Sequence, residues 1–543
     1  MKIEFLGAAK VVTGSNFLIT TDKYKILIDC GMFQGSEQLE KLNFEDFKFD
    51  PSEIDFMLLS HAHIDHSGRI PKLVKEGFNG KIICTKATKD LCDIMLKDSG
   101  HIQESDAKWE NKKRKREGKP LVKPLYTVKD ATVSLNYFDP VLYDQKIDIN
   151  EDVTVRFKDA GHILGSSIIE LWIKEKGNTV KIVFTGDLGM RDRPIIRDPE
   201  LIEEADYLII ESTYGNRLHE NAEKRTEKLV EIINSTVMNN GTVIIPSFAV
   251  GRTQELIYEL NKYYEYNKNL DQFMKIPIYI DSPMAVSATE VFQENTYCFD
   301  EEAKKLILSG DNPFEFSNLH YVRDQQESMR LNNANYPKVI ISASGMCTAG
   351  RVRHHLKHNL WDEKNSVVFV GYQAEGTLGR ILKDGAKKVK LLGERIAVKA
   401  KIYDIEGFSA HADRDELIRW LNGFKSMPNK IFIVHGEEDS AEEFADLVSE
   451  RFNVETIVPD MGDVFDLKDE FYKEKSGEVL KPLQQKENIQ EELQKVYDEF
   501  EILAAKTDQL IDKDFLKDNY DKLNNKLLEL QQKLMDINIM LGK

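Results

Sequence analysis

Phe56-Met57-Leu58-Leu59-Ser60-His61-Ala62-His63-Ile64-Asp65-His66-Ser67-Gly68 joins an apolar run to three imidazoles and a carboxylate packed into six residues. The apolar half reads as a buried strand, and Gly68-Arg69-Ile70-Pro71 opens a helix after it, so the hexapeptide sits on the loop at the strand's C-terminal end. There, turns converge several side chains on one point. His61 and His63, two apart in extended chain, project to the same side. Asp65 and His66 follow where the chain bends and can face a second ion. A polar surface loop whose histidines only hydrogen-bond is the competing reading, but buried imidazoles do not cluster this densely without a cation.

Around this stretch, short apolar strands alternate with turns at Lys2 to Leu6, Asn16 to Thr20, Lys25 to Asp29, Phe56 to Ser60 and Lys81 to Cys84. A long helical, basic stretch runs from about Lys86 to Lys119. Strands then resume at Val153 to Lys158, Ile168 to Ile173, Val180 to Thr185 and Tyr207 to Ile210. Four further strand ends carry ligand-type residues beside glycine: Asp29-Cys30-Gly31, Gly161-His162-Ile163-Leu164-Gly165-Ser166, Thr185-Gly186-Asp187-Leu188-Gly189 and Val434-His435-Gly436-Glu437. An isolated His or Asp after a strand is usually a cap or turn former. Together with the hexapeptide, however, these residues supply the nitrogen and oxygen donors that two divalent ions need, and the glycines let the backbones approach a shared centre.

From about Asn216 the pattern changes to alternating amphipathic helices and strands: Glu223 to Met238, Thr242 to Pro246, Thr253 to Tyr264 and Ile276 to Ile280, continuing through Val339 to Ser342 and Val367 to Val370. This predicts a parallel α/β unit over residues 216–392, inserted into a first domain of 1–215 that residues 393–465 complete. Strands of the first kind return near Ala397 to Tyr403 and Lys430 to Val434. In the last segment, 466–543, apolar residues step by three and four from Ile489 to Leu503 and from Leu516 to Leu541, which predicts two coiled-coil-like helices, either a hairpin folded on its own body or an arm that makes a homodimer; the homodimer is the expectation.

Composition narrows the function. The 543 residues carry a net charge of −18, so any nucleic-acid surface must be local; Lys112-Lys113-Arg114-Lys115-Arg116 is either that surface or a solvated helix face. Five scattered cysteines, Cys30, Cys84, Cys92, Cys298 and Cys347, argue against a disulfide framework and a thiolate zinc site. Nitrogen and oxygen donors without thiolate suit zinc, and are compatible with manganese. No apolar run approaches the ~18 residues a bilayer crossing needs, and the N-terminus reads as a strand, so the expectation is a cytoplasmic protein with no membrane contact.

The order Asp29, His61-x-His63-x-Asp65-His66, His162, Asp187 resembles the metallo-β-lactamase superfamily. The continuation Glu211-Ser212-Thr213-Tyr214-Gly215, Gly407-Phe408-Ser409-Ala410-His411-Ala412-Asp413 and His435-Gly436-Glu437 is similar to its β-CASP branch of RNA-processing nucleases. The resemblance spans residues 1 to about 465. It implies an αββα sandwich with an inserted β-CASP cap and two zinc ions between them. His61, His63 and His162 would hold one ion, Asp65, His66 and His435 the other. Asp187 would bridge them, and Asp29 would orient ligands. A bridging hydroxide would attack phosphorus, and His411, oriented by Glu211, would protonate the departing ribose oxygen.

The loop Ser344-Gly345-Met346 would hold a phosphate near the scissile bond, supporting endonuclease and 5′-to-3′ exonuclease action on single-stranded RNA. From the residues themselves, Arg351 opens a basic helix face with Arg353, His354, His355 and His358, and Tyr372 and Gln373 can stack on or position a base. The rival readings are a DNA nuclease of the same branch, a small-molecule hydrolase and a silent binding subunit. The DNA-acting relatives usually carry Val where this chain has His435; a small substrate needs no cap; a silent subunit would have lost ligands.

Overall fold

The computed structural model describes residues 1–219, 225–266, 275–373, 376–405, 409–467, 473–474, 526, 530 and 533. Met1–Gly477 is one compact unit and Glu478–Lys543 a second. The expected coiled-coil-like helices, apart from three positions, lie outside the described residues.

Two mixed sheets face each other. The first orders its strands Lys473–Glu474, Val464–Asp466, Lys2–Phe5, Phe17–Thr20, Lys25–Ile28, Phe56–Leu58, Lys81–Thr85 and Phe138–Val141. It is antiparallel at its start and parallel from Lys25–Ile28 onward. The second orders Glu455–Ile457, Lys430–Val434, Tyr207–Glu211, Asn178–Phe184, Ser167–Glu175, Val153–Asp159 and Ile147–Asp148. Because side chains alternate along a strand, each strand feeds two cores. Ile3, Phe5, Phe17, Ile19, Ile26, Ile28, Phe56 and Leu58 meet Val153, Val155, Phe157, Ile169, Leu171 and Ile173 between the sheets. Leu18, Leu27 and Met57 turn the other way, onto Leu91, Cys92 and Leu96 of the helix Lys86–Glu117. On the far side, Val183, Leu208, Ile210, Ile431 and Ile433 pack with Leu417, Ile418 and Leu421 of Arg414–Leu421 and Phe444 and Val448 of Glu438–Phe452.

The result is the αββα sandwich. Its two sequence-distant parts are joined by aromatic packing, with Phe5 against Phe432 at 5.1 Å between ring centroids and Phe432 against Phe465 at 5.2 Å. Truncating a buried ring of this kind to Ala costs about 3–5 kcal/mol.

The inserted cap is a parallel sheet in the order Leu319–Tyr321, Ile278–Ile280, Lys338–Ser342, Thr242–Pro246, Ser366–Phe369 and Lys401–Asp404. Its central strands are buried on both faces: Val243 and Ile245 enter one core and Ile244 another. This is why they read as unbroken apolar runs. One expectation is corrected here. The stretch Ala397 to Tyr403 does not return to the first domain: Glu394–Ala397 forms a hairpin with Lys388–Leu391, and Lys401–Asp404 pairs in parallel with Ser366–Phe369 as the cap's edge strand. The chain re-enters the sandwich only after Asp404. Periodicity identifies a strand but not the sheet that receives it.

The five cysteines are free and buried. Among the described residues no helix is long and apolar enough to cross a membrane.

Candidate metal centre

Phe56–Leu58 is followed by the hexapeptide, whose Ile64–Ser67 forms one short helical turn. The loops after Lys25–Ile28, Val153–Asp159, Asn178–Phe184 and Lys430–Val434 converge on the same point. Close approach is literal: a Cβ on Gly31 would lie 1.6 Å from the Asp65 carbonyl oxygen, and one on Gly189 1.7 Å from that of Gly161. Asp29 and His435 both take positive φ, 54° and 49°, at the sharp turns that aim their side chains inward.

The ligand-type residues fall into two groups. In the first, Nδ1 of His63 lies 3.2 Å from Nε2 of both His61 and His162. Oδ2 of Asp187 stands 3.4 Å from His61 Nε2 and 3.5 Å from His162 Nε2. In the second, His66 Nε2 and His435 Nε2 are 3.1 Å apart. Asp65 Oδ2 is 3.5 Å from His435 Nε2, and Asp187 Oδ1 is 3.3 Å from His66 Nε2. The two oxygens of Asp187 thus serve different groups.

Hydrogen bonds around the rim fix the tautomers. His66 Nδ1 donates to Asp29 Oδ2 at 2.7 Å. Ser60 Oγ donates to the same oxygen at 2.8 Å, which leaves it to accept from His61 Nδ1 at 3.1 Å. Thr213 Oγ1 donates to the His435 carbonyl at 3.0 Å and accepts from His435 Nδ1 at 3.1 Å. With those protons on Nδ1, the Nε2 lone pairs of His61, His66 and His435 face one another and the carboxylates of Asp65 and Asp187. Asp187 Oδ1 is buried and has no hydrogen-bond donor. A pocket lined only by acceptors is stable with a cation inside it and is otherwise costly.

The electrostatics agree. Burial pushes His63 down to about 3, and burial with the neighbouring His411 holds His162 well below the ordinary imidazole value, so both stay in the neutral form a metal ligand needs. For His66 burial acts downward too, but the Asp187 and Asp29 carboxylates overcome it and raise it well above the usual value. Without a cation these carboxylates draw a second proton onto His66 Nε2, which a metal ion held by the second group would replace. Asp187 itself is held well below the carboxylate range despite its burial, by His435, His66 and His61.

Beside these groups His411 Nδ1 faces Glu211, 3.1 Å from Oε2 and 3.3 Å from Oε1. Its ring lies against that of His162, with centroids 4.4 Å apart. Its backbone bridges to Gly189, and Ala412 N bonds Leu188 O at 2.7 Å, which ties His411 to the Asp187 loop. Glu211 ends its strand and accepts from Leu188 N at 2.6 Å. Burial lowers His411, Glu211 more than offsets it, and the ring titrates at about 9. Asp413 caps the helix Arg414–Leu421.

The expected substrate residues divide. Ser344, Gly345 and Met346 form the loop after Lys338–Ser342, with Ser344 Oγ accepting from Thr348 N at 3.0 Å and Ala349 N at 3.2 Å. Tyr372 is exposed and meets Tyr214 edge-on at 6.5 Å, and Tyr214 lies 6.1 Å from His411. Two expectations are corrected. Gln373 is buried and donates to Gly345 O at 3.1 Å and Gly371 O at 3.0 Å, so it braces the Ser344 loop and offers no exposed face for stacking. Arg351 donates to Asp281 Oδ1 at 2.6 Å and Arg323 O at 2.7 Å, inside the cap. His355 of the supposed basic face is buried against Asp281 Oδ2 at 2.6 Å.

Ser60 and Thr213 orient ligand rings, a role not read from the sequence. Ser60 was signalled only by its adjacency to His61, and Thr213 by its place in the Glu211-Ser212-Thr213-Tyr214-Gly215 motif.

Residues 9–231 match the metallo-β-lactamase superfamily, 253–382 the Beta-Casp domain and 395–459 the Zn-dependent metallo-hydrolase RNA specificity domain. A ribonuclease of Thermus thermophilus is 37% identical over 439 residues, covering 81% of this chain and 94% of its own length. The transcription termination factor FttA of Methanocaldococcus jannaschii is 34% identical, over 84% of this chain and 70% of its own. An RNase J-like protein of the same organism is 32% identical, over 85% and 99%.

Proposed function

The chain belongs to the β-CASP branch of the metallo-β-lactamase superfamily, a metal-dependent hydrolase, and from that premise we propose that it is a ribonuclease that hydrolyses phosphodiester bonds of single-stranded RNA. The observation that carries this reading is the pair of all-acceptor groups sharing Asp187, flanked by the His411–Glu211 dyad. The first group (His61, His63, His162) and the second (Asp65, His66, His435) would each hold one zinc ion. When bound, two such ions supply an activated water and neutralise charge on the phosphate.

The protein's own residues do the rest. Asp29 and Ser60 orient His66 and His61; Thr213 orients His435. With Nδ1 held by Glu211, the protonated His411 has Nε2 available to donate to the leaving ribose oxygen, and at neutral pH it carries that proton. Tyr372 and Tyr214 offer aromatic faces for bases beside it. The Ser344 loop holds a backbone phosphate, so internal cleavage is joined by 5′-to-3′ trimming. Homodimerisation through residues 488–541 is part of the same proposal.

The test is incubation of the full-length protein with end-labelled single-stranded RNA and the matching DNA, with and without chelator. Chelator-sensitive cleavage of RNA is expected. Cleavage of DNA in preference to RNA would overturn the assignment in favour of the DNA-acting reading.

A further inference from the structure

The helix Lys86–Glu117 begins at the metal centre and ends far from it. Thr85 and Thr88 at its start donate to Gly165 O, in the His162 loop, at 2.7 and 2.8 Å. From Lys86 to Trp109, at ~1.5 Å per residue, the axis runs roughly 35 Å. The distal end is a built surface. Gly118 closes the helix in a left-handed conformation, and the returning chain is clasped by Asn111, which donates to Val122 O at 2.9 Å and accepts from Val122 N at 2.8 Å.

On that tip Lys108, Lys112, Lys113, Lys115, Arg116 and Lys123 are exposed and have no carboxylate partner among the described residues. Arg114 and Lys119 are spent on Glu110 and Glu117. In a chain of net charge −18 such a run of uncompensated cations is an electrostatic outlier. Trp109, 69% exposed, shares a helix face with Lys112, Lys113 and Arg116, at i+3, i+4 and i+7. An exposed aromatic flanked by uncompensated cations is the combination that holds single-stranded nucleic acid without reading its sequence.

We propose that this helix tip is a second RNA-binding surface, which holds the flank of a long single-stranded substrate while another part of it occupies the metal centre. The proposal rests on the ribonuclease reading. At ~3.4 Å per stacked nucleotide the separation corresponds to about ten nucleotides, so only longer RNAs reach both surfaces.

The experiment compares kcat/KM of the full-length protein on an RNA of roughly thirty nucleotides and one of roughly six, across a salt series. The variants are Lys112→Gln/Lys113→Gln/Lys115→Gln/Arg116→Gln and, separately, Trp109→Ala. The fourfold variant should lose at least ~10-fold on the long RNA, and its log–log salt slope should fall by about 3, at ~0.7 per phosphate contact. Trp109→Ala should lose about 10-fold on the long RNA. Both should cleave the short RNA like the parent. Unchanged kinetics on the long RNA, or equal losses on both lengths, would overturn the proposal and leave the ribonuclease reading standing. A parent protein that cleaves neither RNA removes both. Intact long-RNA kinetics with loss of binding to polyglutamate would reassign the tip to an acidic protein partner.

Discussion

Two clusters of histidine and aspartate stand at the C-terminal ends of buried strands, one in the sandwich and one in the cap, and they are chemically opposite. In the cap, Asp281 accepts from Arg351 at 2.6 Å through Oδ1 and from Ser328 at 2.5 Å through Oδ2, which also meets His355 Nε2 at 2.6 Å. Every charge there has a counterpart, and the cluster is closed. In the sandwich, Asp65 and Asp187 face imidazoles whose protons are already committed to Asp29, Ser60 and Thr213, and Asp187 Oδ1 is left without a donor. Residue type is shared; what differs is where the protons point. A closed cluster stabilises the fold, whereas an open one binds a cation.

That contrast can be broken by substitution, and the effects on cleavage should descend as follows. His66→Ala or Asp65→Ala should abolish cleavage and reduce bound metal from about two ions toward one, with the fold kept, because the change empties a site and not a core. Metal analysis with circular dichroism checks this; full activity with a single ion would collapse the distinction between the clusters. His411→Ala should retain the metal and slow cleavage by ~10²–10⁴, the usual contribution of a positioned acid. If that variant loses metal instead, His411 belongs to the open cluster as a ligand.

Glu211→Gln should act more mildly and through pH. With His411 raised to about 9, the proton is present below that pH and lost above it, so the parent's rate falls as pH climbs through about 9. Without the carboxylate the alkaline limb should move to lower pH, which a pH–rate profile reads directly.

Asp281→Ala should have the smallest effect on cleavage by folded protein and the largest on stability. Removing one partner of a buried ion pair costs about 3–5 kcal/mol. Thermal unfolding should show that loss while metal content is unchanged. Burial acts to raise Asp281, but His355, Ser328 and Arg351 hold it below the ordinary carboxylate value. Its stabilisation is therefore present above pH ~4 and lost as pH falls through the native value, so parent and variant should converge in acid.

The strands that carry ligands were legible because each is an apolar run ended by Gly, Asp or His. The edges were not. Phe138–Val141, Ile147–Asp148, Leu319–Tyr321 and Glu455–Ile457 are short and only partly buried, and their sequences lack a clear period. The strand Lys401–Asp404 was legible as a strand, yet its sheet was not, since either sheet offers an apolar neighbour. Arg351 and Gln373 were misplaced for a similar reason: sequence gives a side chain's chemistry and not the direction of its partner.

Seven nitrogen and oxygen donors at strand ends fit little besides a metal site, so the candidate ligands could be read from residue order, and the two-part architecture from the hydrophobic period, which reports local burial. The division of those donors, which the resemblance implied, acquires its geometry in the fold, where the two oxygens of Asp187 turn to different groups, 3.4 Å from His61 and 3.3 Å from His66. The fold also sets Ser60, Thr213 and Asp29 against Nδ1 of His61, His435 and His66, which fixes the proton on those three rings. Such choices depend on contacts between residues tens to hundreds of positions apart, and no local pattern encodes the direction of a hydrogen bond.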